Sequence, residues 1–182
     1  MIADIIKRKI FLGTMLLCFG YITASGQTSI AKHSVEGEDV ILDFKEDDNR
    51  AIILPWVTSQ DDVASVVGGT LIFDSSDKKV KYFKSGVNSD WVDLSINSGD
   101  VDVSIQSGLA ENALKTVIGS NSSDAPGVVV LESNNKAMVL PKMDSPHLNI
   151  NSPAPGTIAY DKVSKMLCVF NGEEWSFWKV SE

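Results

Sequence analysis

The sequence predicts an all-β protein of two duplicated β-meander units packed together, with a short helix near residues 110–118 as the one exception. Three observations carry that expectation. Short apolar runs alternate with polar turn clusters, the period-two pattern of half-buried strands. The segment Asn49 to Pro55 (Asn-Arg-Ala-Ile-Ile-Leu-Pro) returns 86 residues later as Asn135 to Pro141 (Asn-Lys-Ala-Met-Val-Leu-Pro). No heptad pattern, charge block or long low-complexity tail competes with this organisation.

Taken in order, residues 1–26 read as an export signal peptide. Lys7, Arg8 and Lys9 form a cationic start, residues 10–22 are uncharged and mostly apolar, and Ala24 and Gly26 place small residues before Gln27. This apolar run of 13 residues falls short of the ~20 that a spanning helix needs, so no transmembrane segment is expected in the mature chain. A lipoprotein alternative rests on Cys18, but Leu17 precedes it where lipoprotein signals carry Gly, Ala or Ser. Beyond the signal the chain holds 13 basic and 23 acidic residues, a net charge of −10. Nucleic acid is therefore not an expected partner, since it requires a basic footprint. With Cys18 removed only Cys168 remains, and no intramolecular disulfide can form.

Residues 27–95 form the first predicted unit. Ile52, Ile53 and Leu54 make a short strand closed by Pro55, which cannot donate to a ladder. After a polar loop, residues 70–74 alternate, with Leu71 and Phe73 on one face. Asp74 opens a turn, since Asp bonds backbone amides just ahead of it. On the return strand Val80 and Tyr82 point inward while Lys79 and Lys81 point to water, and Trp91 to Leu94 form a third strand. Val40 to Phe44 is a further strand-like run upstream. Within the connecting segment, 96–122, the alternation across 95–107 suits one exposed strand, and 110–118 fits helical spacing, although 113–119 also suits a strand.

Residues 123–182 repeat the unit. Gly69 to Asp74 returns as Gly156 to Asp161, Phe83 as Phe170, and a Gly precedes a Trp in each copy, Gly86 and Trp91 against Gly172 and Trp175. Val128 to Leu131 matches the upstream strand. Met166 and Cys168 stand where the first unit has Lys79 and Lys81, so this return strand is expected to be buried on both faces, by the first unit or by another chain. Cys168 is then a structural thiol. Each unit has ~55 residues, marginal for independent stability, so the units are expected to pack together or the chain to oligomerise.

The run Asn-Lys-Ala-Met-Val-Leu-Pro, Pro-Gly-Thr-Ile-Ala-Tyr-Asp and Val-Phe-Asn-Gly-Glu-Glu-Trp, from Asn135 to Trp175, resembles a repeat found in exported proteins of Bacteroidota and is similar to hairpins in phage tail-fibre-like proteins. Lys142 stands where that family often has Arg, and Trp56 does so in the first unit. The resemblance implies cell-surface or envelope structural proteins, trimers among the fibre-like ones, and no catalytic activity.

Chemistry-bearing patterns are sparse. His33 and His147 are the two histidines, and neither lies at a metal-ligating spacing. The acids at Asp43, Glu46, Asp47 and Asp48, and at Asp90, Asp93, Asp100 and Asp102, do not follow calcium-loop spacing and read as solvated surface. No Gly-x-Ser-x-Gly elbow or phosphate loop occurs, so no catalytic, cofactor-binding or metal residue is assigned and no cofactor is expected. Trp91 and Trp175, at matched positions, read as core caps, whereas Trp56, Phe177 and Trp178 are the candidate partner or ligand contacts. The expected function is a non-enzymatic, exported structural or interaction subunit of the envelope or cell surface, located in the periplasm, at the outer membrane or outside the cell. Its partner would be an envelope or surface protein or further copies of itself, including a trimer. The alternative is a glycan-binding or adhesive module using exposed Trp residues, and a small hydrolase built around His147 is the third possibility.

Overall fold

The computed structural model describes residues 26–108 and 115–179. The predicted signal peptide lies almost wholly outside the described residues, as do residues 110–114 of the predicted helix. Within the described residues the chain is all-β. Strands β1 (Thr28–Ile30), β2 (Val40–Phe44), β3 (Ile52–Ile53), β4 (Trp56–Val57), β5 (Leu71–Asp74), β6 (Lys79–Lys84) and β7 (Asp90–Asp93) come first. The same series then repeats as β8 (Thr116–Ile118), β9 (Val129–Leu131), β10 (Ala137–Met138), β11 (Lys142–Met143), β12 (Thr157–Asp161), β13 (Met166–Phe170) and β14 (Trp175–Trp178). One four-residue helix, α1 (Pro146–Asn149), follows β11.

The pairings show that the duplication reaches further than the matching residues do. β1 runs parallel to β2, and β8 runs parallel to β9. β4 pairs in parallel with β5 at Trp56–Phe73, and β11 with β12 at Lys142–Tyr160. β5–β6–β7 and β12–β13–β14 are antiparallel meanders. Parallel neighbours ordinarily need a crossover of about a dozen residues or more. Here 9 residues join β1 to β2 and 10 join β8 to β9, giving repeated turns of a solenoid kind in place of crossover helices.

Buried carboxylates hold these links. Asp43 is fully buried, so it is not part of a solvated acidic surface; it accepts from Lys32 Nζ at 2.6 Å and from the amides of Glu36 and Phe44 at 2.8 Å. Asp74 accepts from the amides of Gln60 and Ser76, both at 2.9 Å, tying the β4–β5 crossover to the hairpin turn. Asp161 does the same in the second unit, accepting from the amides of Ser145 at 3.0 Å and Val163 at 2.9 Å. Burial by itself would raise these three carboxyls, but the hydrogen bonds they receive outweigh it and hold them below the ordinary Asp value.

The two units are joined by exchanged strands. β3, from the first unit, pairs antiparallel with β12 of the second, while β10 of the second pairs in parallel with β2 of the first. The hydrophobic core is shared as well: Leu54, Phe73, Val80 and Leu94 from one unit close over Ile158 and Val169 from the other. Each such buried side chain contributes roughly 2 kcal/mol. A charged strap runs alongside, in which Glu36 pairs with Lys142 at 2.7 Å.

Three further sequence expectations change. Residues 95–107 form no strand; the described turn there is a 3-10 segment, Val103–Gln106, capped by Asp102. The segment instead straps onto the second unit, Ser176 Oγ accepting from the Ile96 amide at 3.1 Å and Asn97 O accepting from Asn171 Nδ2 at 2.9 Å. In the described part of 110–118, residues 116–118 take the strand alternative as β8, because their Val and Ile side chains find a parallel partner in β9. Lys81 does not point to water: it is buried, with its ammonium 2.5 Å from Asp77 and 3.1 Å from Asp93.

Candidate functional site

The recurring residues are occupied by structural tasks. Pro55 O and Pro141 O receive the amides of Phe73 and Tyr160, both at 2.9 Å. Asn171, fully buried, accepts from the amides of Glu173 at 3.0 Å and Glu174 at 2.8 Å, which sets the turn into β14. Gly172 has φ +100 and meets the Asp100 carbonyl where a Cβ would sit, so no larger residue fits. Trp91 packs edge-on against Phe83 and Trp175 lies tilted against Phe170, each pair with centroids 5.3 Å apart. The repeated motif therefore builds the frame, and anything peculiar to this chain is sought where the units differ.

The largest difference lies on the outer face of the meanders. In the first unit Lys79 and Lys81 flank Asp93, at 2.7 Å and 3.1 Å. In the second unit Met166, Cys168 and Phe177 hold those positions. The crossover carrying α1 reaches this face at Phe177, with the His147 ring edge-on to it at 5.4 Å. Cys168 is completely covered, yet Phe177 remains 39% exposed and Leu148, on α1, 71% exposed.

The outermost strands differ in the same sense. β7 reads Asp-Trp-Val-Asp and carries a charge at each end, a common safeguard against unwanted strand pairing. β14 reads Trp-Ser-Phe-Trp and carries none. Both are sheet edges with one neighbouring strand among the described residues. β14 thus joins an open backbone edge to exposed aromatic surface, the combination that favours strand addition by a partner.

The three candidate contacts divide. Phe177 and Trp178 lie together on β14, with Trp178 43% exposed and its indole N–H donating to Leu94 O at 2.6 Å. Trp56 belongs to the joint between the units: it is half-buried, tilts against Phe73 at a centroid distance of 6.1 Å, and donates to Pro155 O at 2.6 Å. It is therefore not an exposed contact. The proline that closes β3 sends the chain into β4 beneath the second unit. Its counterpart Lys142 takes up Glu36 in place of an aromatic contact.

Reactive groups are similarly engaged. Burial pushes the Cys168 thiol up to about 11, so it stays protonated at neutral pH. Lys78 meets Asp100 at 2.9 Å, and Arg50 meets Asp48 at 2.5 Å, which draws that carboxyl down to about 2. Among the described residues no group of three or more His, Cys, Asp or Glu could hold a metal ion, and no helix is long and apolar enough to cross a membrane. No protein-family model, curated protein or solved structure matches the chain.

Sequence reasoning named Phe177 and Trp178 but missed that their strand differs from its counterpart in the first unit. The sequence showed Lys81 replaced by Cys168, but that these residues face Asp93 and Phe177 becomes visible only with the register.

Proposed function

We propose that this chain is a non-enzymatic, exported structural or interaction subunit of the cell envelope or surface. Its docking element is strand β14, and its partner is an envelope or surface protein that adds a strand or an apolar face there. The observation that carries this is the contrast between the two edges: the first unit ends on a charged strand, the second on an uncharged aromatic one. Export rests on the cationic and apolar pattern of residues 1–26.

The test is retrieval of partners by the tagged protein from gently solubilised envelopes, alongside a Phe177→Lys, Trp178→Lys variant. The unaltered protein should bring down a stoichiometric envelope protein, and the variant should lose it. Equal retrieval by both would overturn the role of β14. The glycan-binding alternative uses the same two rings, and tryptophan quenching on titration with envelope polysaccharide tests it. The Trp178 indole N–H is already given to Leu94 O, which leaves that ring only its face for a sugar.

A further inference from the structure

The joint between the two units is made from non-equivalent surfaces, and each surface recurs unused at the opposite end of the molecule. At the joint, β3 lies against the start of β12: Ile52 pairs with Ile158, and the Leu54 amide donates to Gly156 O at 2.9 Å. By the duplication, Ile158 and Gly156 correspond to Leu71 and Gly69 of the first unit, and Ile52 and Leu54 to Met138 and Leu140 of the second. On the side of β5 away from β6 no strand of the described residues pairs at Leu71, nor does any pair with β10 on the side away from β2. The orientation of β10 suits the vacancy. Its Ala137 and Val139 amides donate to β2, at 2.7 Å to Asp39 O and 2.9 Å to Leu42 O. Those of Met138 and Leu140 then face the other way, as alternate residues of a strand must.

Packing around the two glycines agrees. A Cβ placed on Gly156 would meet Phe73 Cβ at 3.0 Å and Leu54 Cβ at 3.6 Å, because the joint is filled there. Gly69 has nearly the same backbone, φ +87 against +79, and nothing lies within 4 Å.

We infer that a second copy of this chain occupies the vacant edge, its β10 adding to β5 in the register that β3 uses on β12. Copies then associate head to tail, Met138 of one opposite Leu71 of the next, with Leu140 over Gly69. This rests on the proposed role as an interaction subunit and names one of its partners. Because the two surfaces differ, the contact is heterologous: it closes into a ring if the rotation returns on itself and otherwise grows into a filament.

A cysteine pair tests the register. Thr157 stands opposite Ile53 within the chain, and the corresponding residues between copies are Thr70 and Val139. In a Cys18→Ala, Cys168→Ala background, T70C/V139C should give a ladder of disulfide-linked multimers on oxidation, and neither single variant should. I53C/T157C, the internal control, should close within one chain. Closure of the control without a ladder from T70C/V139C would overturn the inference, as would equal crosslinking by either single variant, which marks a symmetric contact. Sedimentation of the unaltered protein checks the same point without substitution. Its mass should rise with concentration, and a monomer at every concentration would overturn the joint. A monomer that still retrieves an envelope protein through β14 leaves the proposed function standing. An assembling protein that retrieves none overturns that function and leaves the joint.

Discussion

Cys168 faces Phe177 across the β13–β14 pair, at the register where the first unit sets Lys81 opposite Asp93. One backbone thus carries two kinds of surface. In the first unit an ion-paired cluster closes the outer face, and in the second an apolar cluster does so and leaves aromatic area over.

The first prediction concerns what those clusters contribute. Replacing Lys81 with Met should cost about 2–4 kcal/mol, because removing one partner of a buried ion pair leaves the Asp77 carboxylate without its cation. Phe177→Ala should cost about 1–2 kcal/mol, since part of the ring already meets water. Urea unfolding of each variant measures both, and a loss below about 1 kcal/mol for Lys81→Met would show that the charge is dispensable.

Acid should undo the links held by Asp43, Asp74 and Asp161. Their folded values lie below the ordinary 3.8, so the folded chain binds fewer protons than the unfolded one in the interval below 3.8. The stabilisation is complete above that value and is lost as pH falls through the lower, folded values. Unfolding free energy should therefore be nearly flat from pH 7 to about 5 and drop below about pH 4. Asp161→Ala should cost about 2–4 kcal/mol at neutral pH, by stripping the Ser145 and Val163 amides of their acceptor, and should lessen the acid sensitivity.

A third prediction follows from the Cys168 thiol, which burial holds at about 11. A soluble disulfide reagent at pH 8 should leave it unmodified in the folded protein and label it rapidly in urea. Labelling of the native protein at the rate of a free thiol would contradict its burial.

The exchanged strands yield a fourth. Residues 27–108 produced alone should show no cooperative unfolding, because Ile52 and Ile53 lose β12 and half the shared core is gone. Within the intact protein the matched leucines should behave unequally. Leu54→Ala should cost about 2–4 kcal/mol and Leu140→Ala about half of that at dilute concentration, since Leu54 is buried in the joint and its counterpart is only partly covered. Equal losses would mean that the two ends are equally filled.

The meanders were readable because their causes are local. Alternation places Leu71, Phe73, Val80 and Tyr82 on one face, and Asp74 and Asp161 mark the turns. The duplication of the Leu-Pro blocks, the Gly-to-Asp strands and the closing tryptophans also lies in residue identities alone. The β1–β2 and β8–β9 pairs hide from such a comparison, since parallel strands joined by irregular links are matched by pairing and not by residues.

Chain order cannot say which unit a two-residue strand will join. Only the tertiary structure sends β3 to β12 and β10 to β2, turns Trp56 inward and buries Lys81 among carboxylates. The physical reason is range: strand periodicity and turn chemistry act within a few residues, whereas edge pairing and core sharing here link positions about a hundred residues apart, as Trp56 and Pro155 are.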